Sequence, residues 1–202
     1  MKKTLSYIGF WLISLTWGCI MTTVGAIVAL ILLVTGHRPY HVGPNIYFKV
    51  GKNWGGLELG PFFLVDDMPG RHTICHECGH GIQNCIWGPL MPFVVSIPSA
   101  IRYWLRDQRE YNKKMKFIGI LEVLILVFNL LTILIPVLCS NGWLFIIPGL
   151  ITIYLGALSY WLWYKELPQY ESRPYPLYDD IWFEGQASDW GERVYGPVYD
   201  KE

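Results

Sequence analysis

Arg71-His72-Thr73-Ile74-Cys75-His76-Glu77-Cys78-Gly79-His80-Gly81-Ile82-Gln83 is the stretch on which the reading of this chain turns. Within it, His76-Glu77-x-x-His80 sets two imidazoles four residues apart, and on an α-helix positions i and i+4 share one face. Both rings can then point at one Zn2+, with Glu77 beside it to take a proton from a zinc-activated water. The spacing predicts a metal-motif helix over 71–87. Gln83 falls about one turn beyond His80, placed to orient a ligand, to bond a substrate, or to stand as a polar residue on the helix surface. His72 is one turn before His76 but two turns from His80, about 12 Å along the axis. An undistorted helix cannot bring both to one ion, so His72 is expected beside the ligands or at the surface.

A second reading of the same stretch takes Cys75-x-x-Cys78, with His80 and Cys85, as a structural zinc site or a redox dithiol. A continuous helix turns the two cysteines away from the face that carries His76 and His80, which weighs against it. A third takes the histidines as interfacial polar residues without a metal.

The composition around the motif is that of a membrane protein. Of 202 residues, 52% are hydrophobic and 16% charged, and the mean hydropathy is +0.30. A soluble domain carries about 25% charged residues. The same balance excludes intrinsic disorder. Sixteen basic and sixteen acidic residues cancel, which argues against a nucleic-acid partner. Five cysteines, an odd number scattered through apolar and mixed segments, do not read as a disulfide framework.

No charge occurs between Thr4 and Gly36, a run far longer than the roughly 7–15-residue core of a signal peptide, so 5–35 reads as an uncleaved transmembrane span. Two more spans are expected at 117–138 and 143–164, joined through Cys139-Ser140-Asn141-Gly142 as a tight hairpin. Trp143, Trp161, Trp163 and Tyr164 supply interfacial aromatics. The apolar stretch 81–101 carries Pro89, Pro92 and Pro98. Its Pro-interrupted part, 88–105, is expected to be helical and to enter the bilayer and return, or else to cross it kinked.

Within 36–70, Ile46–Val50, Gly51–Gly56 and Leu57–Val65 read as strand, turn and strand, a small β-hairpin at the membrane surface. Six basic residues between Arg102 and Lys116 set that loop on the cytoplasmic side. The polar tail, 165–202, holds nine acids and four bases and returns to the same side. It includes an extended stretch at Pro174–Pro176, after which Asp179 or Asp180 caps a short helix through Ala187. The fold class is therefore a mainly α membrane protein, read as a single membrane domain over 1–202: about three transmembrane helices, a Pro-interrupted segment, a surface β-hairpin and a polar tail.

His76-Glu77-Cys78-Gly79-His80-Gly81-Ile82-Gln83, with Trp87-Gly88-Pro89-Leu90 and Ile97-Pro98-Ser99, resembles a family of uncharacterised small bacterial integral-membrane proteins. That family has an H-E-x-G-H-x-x-Q helix, a Gly-Pro-Leu turn, a Pro-Ser pair and a later E-x-x-A segment, matched here by Glu184-Gly185-Gln186-Ala187. It is similar to zinc metallopeptidases of the glutamate-ligand type. The resemblance covers about 30 residues around the motif and the tail segment, and it implies a bacterial inner (cytoplasmic) membrane. H-E-x-G-H is similar also to intramembrane site-2 proteases, but these take a third ligand from an Asp in a downstream span, and neither downstream span here contains one.

A catalytic zinc has three protein ligands and a water, so a third ligand is needed. Glu122 lies inside an expected span, near its Lys116 end; Asp66 and Asp67 lie a short distance before the motif; Glu184, Asp189 and Glu192 lie in the tail. Polar setting, helical context and the resemblance favour Glu184. A helix starting at Asp180 puts Glu184 and the small Ala187 on one face, with Trp182, Phe183 and Trp190 to hold it down. The expected site has His76, His80 and Glu184 as zinc ligands, Glu77 as base, and His72 and Gln83 at its edge. The expected function is peptide-bond hydrolysis by a membrane-embedded zinc metallopeptidase, its partners the bilayer and a peptide or protein substrate. The alternatives are a membrane protein with a structural zinc or redox C-x-x-C site, and a non-catalytic membrane adaptor.

Overall fold

The uncharged N-terminal run, expected as a single span over 5–35, forms two helices, α1 (Lys2–Thr16) and α2 (Cys19–Val34), bent by 98° at the break between them, as in a broken span or a re-entrant loop. Contacts from later in the chain fix the bend. The Trp17 indole N–H donates to the Ile86 carbonyl (3.1 Å), the Asn84 side chain fills the space beside Gly18, and the Thr22 hydroxyl donates back to Ser14 O (2.8 Å). This is a computed structural model, which describes residues 2–107, 111–139, 141–170 and 177–200, with side chains from residue 6 onward except 107 and 111–114. Arg109, the side chains of Lys113 and Lys114, Ser140 of the hairpin turn and the Pro174–Pro176 stretch, all singled out in the sequence, lie outside the described residues.

The expected β-hairpin is a four-stranded mixed sheet. Strands β1 (Pro39–Val42), β2 (Asn45–Lys49), β3 (Gly56–Leu59) and β4 (Phe62–Val65) lie in the order β1-β2-β4-β3. The segment read as one strand, Leu57–Val65, is split by a turn at Gly60, whose φ of +75° is open to glycine. It therefore folds on itself as an antiparallel pair, and β4 lies parallel to β2 rather than as its hairpin partner. Side-chain packing explains the choice. Tyr47 faces Phe63 across β2 and β4, with the rings stacked 5.0 Å apart, and Val42, Tyr47, Phe63 and Val65 share one buried core.

That core is completed by Ile74 and Cys78 of helix α3 (Arg71–Trp87) and by Tyr195 of the C-terminal helix. After α3 the chain makes a tight helical turn at Gly88–Leu90 and a wide one at Pro92–Ser96, then enters α4 (Ile97–Asp107). The prolines break the helix between Leu90 and Pro92, where it bends by 114°. α5 (Tyr111–Cys139) and α6 (Ile146–Trp161) form the helical hairpin, and α7 (Trp182–Tyr199) closes the chain. Met115–Cys139 and Gly142–Tyr170 are long and apolar enough to cross a membrane, and counting each bent pair as one span raises the number to four.

The chain divides into two compact units, one of Met1–Ser99 with Leu177–Glu202 and one of Ala100–Pro176. In the second, Ile101, Leu105, Leu121, Leu158 and Leu162 form an apolar core, and Arg102 and Glu166 form a fully buried ion pair. Arg102 Nη1 donates to both oxygens of Glu166 at 2.7 and 2.9 Å, and the Tyr170 hydroxyl donates to Glu166 Oε1 at 2.6 Å. Removing one partner of such a pair costs about 3–5 kcal/mol, because the other is left charged and buried. Glu122 belongs to this unit and accepts a hydrogen bond from the Ser159 hydroxyl across the hairpin.

Candidate metal centre

Helices α3 and α7 meet backbone to backbone. A Cβ at Gly79 would collide with the Ala187 carbonyl, and one at Gly191 with the Cys75 carbonyl. Ala187 is wholly buried at this crossing. Glu184, one turn earlier on α7, is thereby laid against the His76–His80 face of α3. α7 is longer than the short helix expected, because it buries Phe183 against Met91 and Val95 and, three turns later, Tyr195 against the sheet. Neither Asp179 nor Asp180 caps it. Asp180 instead accepts from the Leu177 N–H (2.7 Å), and Asp179 from the Ser188 hydroxyl (2.8 Å).

His76 Nε2, His80 Nε2 and Glu184 Oε2 converge on one point. The nitrogens are 3.1 Å apart, and the carboxylate oxygen is 3.1 Å from His76 and 3.3 Å from His80. Tetrahedral bonds of about 2.0–2.1 Å to zinc require ligand atoms roughly 3.3–3.4 Å apart, so the three atoms already stand near that spacing. All three side chains are buried, and the group can hold a metal ion.

The outer nitrogens show where the protons are. Gln83 Nε2 donates to Phe183 O (2.8 Å) and to Gln186 Oε1 (3.0 Å), which leaves Gln83 Oε1 to accept from His80 Nδ1 at 2.7 Å. The Ser188 hydroxyl gives its proton to Asp179, so its oxygen accepts from His76 Nδ1 at 2.8 Å. Each ring therefore carries a proton on Nδ1 and turns its Nε2 inward. These three atoms could hold a metal ion or share a proton: burial alone would lower the His80 imidazole, but its bond to Glu184 and the surrounding negative charge outweigh burial and push it up to about 9. Burial alone would raise the Glu184 carboxyl, but its bonds to His76 and His80 and their charge outweigh burial and hold it well below the usual carboxylate range. Without a metal, His80 can take up a second proton, on Nε2, and direct it at Glu184.

Glu77 is buried next to His76, and the backbone of β3 at Gly56 packs directly against its carboxylate. A second carboxyl, missed in the sequence, is Glu58 on β3. It is buried and accepts from the Gly60 N–H. Burial pushes it up to about 8, against the opposing charge of His80 and the Gly60 bond. Tyr178 also joins the site, its ring 6.3 Å from His76 and its hydroxyl 3.0 Å from that of Ser99. Burial and the negative charge of Glu184 push its phenol up, so it stays protonated.

The other candidates fall elsewhere. Asp66 accepts from the Met68 N–H at the surface, Asp189 pairs with Arg193 at 2.8 Å, and Glu192 pairs with Arg71 at 2.5 Å. His72 is 62% exposed and stands outside the inner three. Cys75 and Cys78 are buried, with Cys78 in the core against Tyr47 and Phe63. Among the described residues neither cysteine belongs to a metal-holding group. Ser188 had a signal in the sequence, since it is four residues after Glu184 and so on the same face of α7. Glu58 had none: between Leu57 and Leu59, alternation would turn it outward, yet Leu57 is the exposed residue and Glu58 the buried one.

Two outcomes are expected. Ser188→Ala leaves the His76 ring without the acceptor for its Nδ1 proton and should weaken zinc binding by about 10–100-fold, measured by competition with a chromophoric chelator. In the metal-free protein, Glu58 is protonated in the fold below about pH 8 but ionises near 4.5 in the unfolded chain. Its contribution to stability is then fully present below pH 4.5 and lost as pH rises toward 8. Glu58→Gln should flatten that fall in thermal melts across the same window. Compared with known proteins, the chain matches no family model, no curated protein and no solved structure.

Proposed function

We propose that this chain is a membrane-embedded zinc metallopeptidase, placed in a bacterial inner membrane and acting on peptide bonds. The observation that carries the reading is the geometry of the inner group: two imidazole nitrogens and one carboxylate oxygen, 3.1–3.3 Å apart and buried. Two imidazoles and one carboxylate are a ligand set suited to zinc, and three protein ligands leave a position open for chemistry where a structural site would close it with a fourth. A bound zinc would supply Lewis acidity toward a scissile carbonyl and toward water.

The work of the chain's own residues follows from their places. His76, His80 and Glu184 hold the ion, and Ser188 with Asp179 on one side and Gln83 on the other keep both imidazoles in the ligating tautomer. Glu77, one residue from His76 and turned toward β3, takes the proton of the attacking water and delivers it to the leaving amine. β3 is an edge strand of the sheet and passes over Glu77, so an extended peptide that adds to this edge would lie along the base. The resemblance of the motif and the Glu184–Ala187 segment to small bacterial membrane proteins supports the same reading.

Glu77→Gln is expected to retain zinc and to lose hydrolysis of a quenched fluorescent peptide by about 10²–10⁴-fold, since the amide keeps the shape but cannot accept the proton. Full activity in this variant, or loss of zinc from a folded protein, would overturn the assignment of Glu77 as base.

A further inference from the structure

A second cluster of ligand-type side chains stands immediately outside the inner centre. His72, His76 and Asp179 present ligand atoms within 4.8 Å of one another. His72 Nε2 lies 3.6 Å from Asp179 Oδ2. On the other edge of the same ring, His72 Nδ1 faces Glu192 Oε1 at 4.0 Å, and Glu192 is itself anchored to Arg71 at 2.5 Å. A carboxylate behind one ring nitrogen and a ligand-type oxygen before the other is how metal-binding histidines are commonly oriented. The histidines form a ladder on one face of α3, ring centroids 6.0 Å apart from His72 to His76 and 4.6 Å from His76 to His80. His76 stands between the two groups, with Nε2 in the inner one and Nδ1 toward Ser188 and Asp179.

We propose that the outer group is a second, exchangeable zinc site, with His72 Nε2, Asp179 Oδ2 and His76 Nδ1 as its protein ligands and water completing the shell. The inference rests on the reading of the inner centre, because His76 serves both. Two features make the outer site the weaker. His72 is 62% and Asp179 37% exposed, so the ion stays in exchange with solvent. Binding would also displace the Ser188 hydroxyl from His76 and release the Nδ1 proton to water, so that His76 bridges the two ions as an imidazolate. Occupancy withdraws electron density from a ligand of the inner ion and uncouples His76 from its Ser188–Asp179 support. Excess zinc therefore inhibits, and His72 is the residue through which it does so.

The test is a zinc titration of the detergent-purified full chain, with bound metal determined at buffered free-zinc concentrations. Wild type should bind a tight equivalent and a weaker one. His72→Ala, a change at a largely exposed side chain, should keep the tight equivalent and lose the weaker, and its peptide hydrolysis should no longer fall when zinc is raised. The proposal is overturned if wild type binds no second equivalent, or if that equivalent survives undiminished in both His72→Ala and Asp179→Ala. Failure of the inner reading has a different signature: the tight equivalent would then be insensitive to His80→Ala while the weaker one still responds to His72.

Discussion

The space a side chain would need at Gly79 is filled by the Ala187 carbonyl, and the space at Gly191 by that of Cys75. Helix axes packed through ordinary side chains lie about 8–10 Å apart, and the two glycines with Ala187 remove the side chains that set this distance. The short arm of Glu184 reaches both imidazoles only because the two backbones touch. The remaining structure serves this crossing. The sheet backs α3 through Tyr47, Phe63 and Val65, Phe183 pins the start of α7 against Met91 and Val95, and Arg71 ties α7's far end through Glu192 and Asp200.

Electrostatics then determines what the crossing can hold. An ionised carboxylate taken out of water is costly unless it is paired. Glu184 is kept charged by the two rings, whereas Glu58, which accepts the Gly60 N–H, is driven by burial toward its neutral form. Two carboxyls in one neighbourhood thus take opposite states because their partners differ, and Glu77 interacts with both. The hydrogen bonds of Gln83 and Ser188 do the complementary work, fixing which nitrogen of each ring faces inward.

What could be read from the sequence follows from the range of each interaction. His76 and His80 are legible because i, i+4 spacing on a helix is local geometry. Glu184 lies 104 residues from His80 and was reached through a resemblance and a polar helical setting, not through spacing. The bend at Gly18 was illegible, since it depends on Trp17 and Thr22 meeting Ile86, Asn84 and Ser14 rather than on a local breaker signal. The parallel pairing of β2 with β4 escaped for a related reason: a turn at Gly60 was hidden in an apolar run whose pairing is settled by the stacking of Tyr47 on Phe63. Asp179 was visible as a polar residue before a helix, but its role shifts from cap to support for His76 once Ser188 is brought to it.

The group that could hold a metal ion is closed by a glutamate from the far end of the chain. The most direct test of this closure is zinc bound per chain in purified Glu184→Ala beside Glu192→Ala, each shown to be folded by its melting transition. Loss of the tight zinc from Glu184→Ala and its retention in Glu192→Ala is the predicted result. Equal zinc in the two variants would contradict the account.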